Sequence, residues 1–144
     1  MRLDRFLTVV RERMESQDEI VASIRAACEG VLELAEHSLL VRTIVGAAPG
    51  DQDADFLKIL TTESGEIVEA AVVVVEQSIH QLYPDTPLTE AELSVAVELV
   101  VRLVLSAITR PSKSPAAAAA DIAWIVDLAL KGARDRLSGP SIRG

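Results

Sequence analysis

Apolar residues recur along this chain at spacings of three and four, the pattern of helices rather than strands. The clearest stretch is 93–108, LSVAVELVVRLVLSAI, whose only polar residues are Ser94, Glu98, Arg102 and Ser106. They fall at every fourth position and drift by about 40° per step on a helix. The result is one narrow polar stripe on an otherwise apolar cylinder. A surface helix needs an apolar face only about 100° wide. This helix has apolar residues around most of its circumference. It is expected to cover its own core on one side and to meet a second helix layer or a second subunit on the other. It does not cross a membrane, because Glu98 and Arg102 interrupt the run.

The other elements follow the same period. Leu3, Phe6, Leu7, Val10 and Met14 share one side of a helix over 2–14. Ser16-Gln17-Asp18-Glu19 has the form of a capping box and opens a second helix. Its stripe of Ile20, Ile24, Ala27, Cys28, Val31 and Ala35 continues to about His37. Gly30 lies inside that stripe, at a cost of about 1 kcal/mol against alanine, and marks a close helix contact or nothing at all. Ser38 is read as the cap of a short helix ending at Gly46, before the loop 47–53. Phe56, Leu57, Ile59 and Leu60 form one or two apolar turns, with a break near Gly65.

A long helix is expected over 63–82. Its segment AAVVVV alone reads as a strand, but Glu63, Glu66 and Glu69 precede it, and Glu76 and Gln77 follow with no turn signal. Tyr83-Pro84-Asp85-Thr86-Pro87 is a firm break. Thr89-Glu90-Ala91-Glu92 is a second capping box. The short loop 111–115 implies an antiparallel neighbour, a last helix that begins around Pro115 and carries Ala118, Ile122, Ile125, Ala129 and Ala133 on one side. The prediction is all-α: an orthogonal, antiparallel bundle of about six helices in one domain, 1–137, with a flexible tail, 138–144.

Composition sharpens this. Of 144 residues, 49% are apolar but only 3% aromatic, so small aliphatic side chains must fill the core and allow close helix contacts. The formal net charge of −8 and the scattered basic residues argue against nucleic-acid contact by these residues. A single cysteine, Cys28, excludes a disulfide framework within the chain and fits a reducing compartment. With a charged N-terminus, MRLDRFLTVVRERM, the expected location is the cytoplasm. The last two helices are apolar over more surface than one-sided packing needs. Two such hairpins related by a two-fold axis make a four-helix interface; equally, the hairpin is the centre of a monomeric bundle.

In this order the elements resemble the C-terminal regulatory domain of TetR-family transcription regulators. Leu3–Met14 followed by Gln17–His37 is similar to that domain's connector helix and first long helix. HSLLVR at 37–42 is similar to its short helix start. AELSVAVELVVRLVLSAITRP, ending at Pro111, and the last helix with its ALKGARDRL ending are similar to the family's final pair. The resemblance implies an all-α fold, a homodimer through the last two helices, and a cavity among the middle helices for a small ligand that controls a repressor's DNA-reading head. That head would precede the connector, and here Met1 stands almost within it. These residues are therefore not expected to bind an operator themselves.

The resemblance and the apolar pattern together propose a ligand site walled by helices 16–37, 63–82 and 89–110 and closed by 53–62. Its candidates are Ile24, Cys28, Val31, Phe56, Leu60, Val68, Val72 and Leu99. Each is also an ordinary core residue by type. Candidates for the dimer interface are Val95, Glu98, Arg102, Leu105, Trp124 and Leu128. Glu33 with His37, and Glu76 with His80, share helix faces at i,i+4, as metal pairs or as solvated pairs; no metal or cofactor is expected. There is no phosphate loop, no His-Glu-x-x-His and no nucleophile elbow, so catalysis is not expected. Two functions follow: a homodimeric domain sensing a small apolar or amphipathic ligand, or a helical dimerisation or protein-interaction module with a closed core.

Overall fold

A computed structural model describes residues 3–45 and 64–138. The expected loop 47–53 and the turns carrying Phe56 and Leu60 lie outside the described residues. Within them the chain is all-α, with five helices: α1 (Leu3–Glu15), α2 (Ile20–Val45), α3 (Ser64–Leu82), α4 (Glu90–Thr109) and α5 (Pro115–Ser138).

The helix ends show which local signals act. At α4 the capping box is complete: the Glu92 backbone N–H donates to Thr89 Oγ1 at 3.1 Å, and the Thr89 N–H donates to the Glu92 carboxylate at 3.0 Å. The expected box at Ser16 does not form. Ser16 instead closes α1, with its N–H bonded to the carbonyls of Glu12 and Arg13 and its hydroxyl donating to the Arg13 carbonyl at 2.6 Å. The cap of α2 is Glu19, whose carboxylate accepts from the N–H groups of Val21 and Ala22, both at 3.1 Å. A carboxylate there also faces the positive end of the helix dipole. At α5, Ser114 caps by accepting from the Ala117 N–H at 3.2 Å, with Pro115 at the first helical position, where a missing N–H costs nothing.

The expected break at Ser38 is absent, and α2 continues through it to Val45. A serine inside a helix costs only a few tenths of a kcal/mol, and no glycine or proline interrupts the sequence between Gly30 and Gly46. The AAVVVV segment is helical, within α3.

The long α2 is central and packs against α1, α4 and α5, while α3 packs against α1 and α4. Gly30 is what allows α1 its close approach. A Cβ there would lie 2.9 Å from Val9 Cγ1 and 3.0 Å from Arg13 Cγ. The core runs from Phe6, Val10 and Met14 of α1 through Ile24 and Cys28 to Val75, Val97 and Leu130. On α5 the buried residues are Ala119, Ile122, Ala123, Leu130 and Ala133, and the helix packs chiefly on α2. That stripe is rotated from the expected one, since Ile125 and Ala129 are exposed. α4 and α5 run antiparallel. Their open end is clasped by Arg136, which donates to both Glu92 oxygens at 2.6 and 2.8 Å.

Candidate functional site

Four helices line a partly open apolar cavity of about 100 Å³. α1 contributes Phe6, Leu7, Val10 and Met14, and α2 contributes Ile24, Ala27, Cys28 and Val31. α3 adds Ile67, Ala71 and Val75. α4 supplies Val100, Val101, Val104, Leu105 and Ile108. Met14 and Ile24 are buried, whereas Leu7, Val104 and Ile108 are half-buried and form the outer part of the wall. Among the described lining residues no side chain carries nitrogen or oxygen; their heteroatoms are the sulfurs of Met14 and Cys28. Burial pushes the Cys28 thiol up to about 12. The thiol is therefore protonated at neutral pH and behaves as a small apolar wall group.

Three of the expected ligand residues, Ile24, Cys28 and Val31, line this cavity. Val68 is buried in the core and Val72 packs against it, both outside the lining. Leu99 is 56% exposed and lies away from the cavity. The reason is angular: Leu99 is two residues, about 200°, from both Val97 and Val101, which are buried. Leu105, expected at an interface, is half-buried and lines the cavity. Phe56 and Leu60 lie outside the described residues. The expected walls also left out α1. Its apolar stripe was visible in the sequence, but nothing in a stripe says which groove it fills.

On its other side α4 exposes Val95, Leu99 and Leu103, spaced by four, and α5 exposes Trp124, Ile125 and Leu128. Trp124 is 61% exposed, an unusual state for a side chain this large. The polar stripe predicted on α4 borders this face. Ser94, Glu98, Arg102 and Ser106 are all exposed, and Arg102 Nε donates to Glu98 Oε2 at 3.0 Å. A second recess, about 390 Å³, lies where α2, α4 and α5 meet the loop between the last two helices. Its lining is mixed, with Leu32 and Ile122 beside Glu36 and the Lys113–Asp121 ion pair.

The paired His and Glu residues disperse. Glu33 pairs with Arg13 at 3.2 Å, and His80 Nε2 meets Glu90 across the turn at 3.3 Å. Among the described residues, no three His, Cys, Asp or Glu side chains converge as a metal site would require. No helix among them is long and apolar enough to cross a membrane.

No curated protein and no solved structure is significantly similar to the chain. One family does match, and it covers more than half of the sequence: residues 19–127 fit the family described as "Bacterial Tetracyclin repressor, C-terminal domain". Its span includes the second helix, the capping box of α4 and the first half of α5. The chain belongs to this family of bacterial tetracyclin repressor C-terminal domains, and is a regulatory helical domain.

Proposed function

We propose that this chain is the ligand-sensing and homodimerisation domain of a transcriptional repressor. The observation that carries the reading is the division of labour on α4. Among the described residues, Val100, Val101 and Val104 face an apolar cavity, while Val95, Leu99 and Leu103 form an exposed apolar face with Trp124 and Leu128. A helix with both roles couples cavity contents to subunit contact. A contiguous exposed apolar face on a small domain points to an association surface, and two copies of an antiparallel hairpin pair through a two-fold axis. Membership in the repressor family supports the same reading.

The modest cavity favours a second reading. Pockets for drug-sized ligands are roughly 300–1,000 Å³, and this one is about 100 Å³. A dimerisation module without a ligand would need no more space. Native mass spectrometry of the purified chain, repeated under denaturing conditions, separates the two. A dimer carrying a small molecule that is released on denaturation supports the sensor. A dimer that takes up no small molecule from a ligand panel supports the module. A monomer at micromolar concentration removes both.

A further inference from the structure

The chemistry of the cavity wall narrows what the cavity can hold. At Val10, Cys28, Val75 and Val101 the wall is mid-helix, so the backbone N–H and C=O groups there already bond one another. The side chains offer hydrocarbon and two sulfurs. Against these described residues a ligand finds no donor or acceptor of useful strength. We infer that the cavity takes an uncharged small hydrocarbon, about the size of benzene or smaller, held without any hydrogen bond.

This inference rests on the sensor reading and adds the chemical class of the ligand. Volume sets the scale. An engineered apolar cavity of about 150 Å³ stays dry and takes benzene or xenon, and the present cavity is about 100 Å³. A benzene-sized guest fits with small outward shifts of the half-buried side chains Leu7, Val104 and Ile108. Polarity sets the selectivity. A hydroxyl moved from water into such a wall loses its hydrogen bonds without replacement, which weakens binding on the order of tenfold. An ionised carboxylate or ammonium is rejected more strongly, because no countercharge lies among the described lining residues. Cys28 does not alter this, since its thiol stays protonated at neutral pH.

The test uses the full chain with ¹³C-labelled Ile, Leu and Val methyl groups. Benzene, phenol and benzoate are titrated separately, and methyl shifts are followed at Val10, Ile24, Val75 and Val101. The expected result is saturable benzene binding that shifts these methyls, phenol at least about tenfold weaker, and no shift with benzoate. Xenon under pressure should shift the same methyls, which locates the site without any variant that must fold. Phenol or benzoate binding there as tightly as benzene would overturn the inference and leave the sensor reading standing. No methyl shift with any of the four probes would overturn both.

Discussion

The hydroxyl of Tyr83, in the turn after α3, lies 2.5 Å from Oγ of Ser23 in α2, sixty residues away in sequence. Ser23 is fully buried and donates to the Met14 carbonyl at 2.9 Å, and Tyr83 Oη lies 3.2 Å from the Gln17 carbonyl. The cluster ties the end of α3 to the α1–α2 connection, where the Met14 carbonyl also accepts from the Gln17 N–H at 3.4 Å. It therefore holds the last turn of α1 against the bundle on one side of the cavity. Tyr83→Phe removes one buried hydrogen-bond partner and keeps the ring. The unfolding free energy should fall by about 1 kcal/mol, read from the urea midpoint. A variant as stable as the parent would mean that the cluster adds nothing.

Gly30 makes the opposite kind of contribution, by what it lacks. Alanine gains about 1 kcal/mol of helix propensity over glycine, so in an open helix Gly30→Ala would stabilise. Here the added methyl meets Val9 Cγ1 at 2.9 Å, on a β-branched side chain with little rotamer freedom. Overpacking of that kind costs about 1–3 kcal/mol, so the net change should be destabilising. Val9→Ala in the same chain should recover much of the loss. A higher melting temperature for the single variant would show that α1 is free to retreat.

The clasp between Glu92 and Arg136 predicts a particular acid response. Hydrogen bonds from the Arg136 guanidinium, then from the Thr89 backbone N–H, lower the Glu92 carboxyl from the usual 4.5 to about 2. A depressed carboxylate stabilises the fold fully above the unfolded value. That contribution drains away as pH falls from about 4.5 towards about 2. Glu92→Gln keeps a capping-box side chain but loses the charge. Its melting temperature should lie below the parent's at pH 6, and the gap should narrow as pH drops through that window. Because the pair is exposed, added salt should shrink the gap at pH 6 as well. A gap that stays constant with pH would assign the difference to packing.

Trp124 reports on the proposed dimer. It is the only tryptophan in the sequence and is 61% exposed in a single chain. Burial against a second copy should give blue-shifted emission that moves to longer wavelength on dilution. Leu99→Asp places a charge on the same face without touching the core, so it should yield a folded monomer with red-shifted emission and unchanged helical circular dichroism. Loss of helix in this variant would place Leu99 in the core of the fold. Unchanged mass by light scattering would put the subunit contact elsewhere.

Much of the architecture was legible because helices announce themselves locally. The Thr89–Glu92 box and the polar stripe of α4 depend on residues three and four apart, and a helix brings those together whatever the rest of the chain does. Short-range signals failed where two of them competed. Ser16 and Glu19 both suit a helix start, and the choice depended on where α1 stopped. Ser38 suits a cap but equally tolerates a helix interior, and α2 ran on.

What the sequence determined by itself was therefore the helical class, most helix boundaries, and the presence of more apolar surface on α4 than one core requires. Tertiary structure decided which apolar residue faces what. Leu99 and Leu105 are alike in chemistry and lie on the same helix, yet one is on the outer face and the other in the cavity wall. The same packing turned α1 into a wall of the cavity, through the close approach that Gly30 permits. Periodicity reports the angle between residues on one helix. It carries no information on how that helix is rotated against its neighbours, which only the simultaneous packing of all the helices sets.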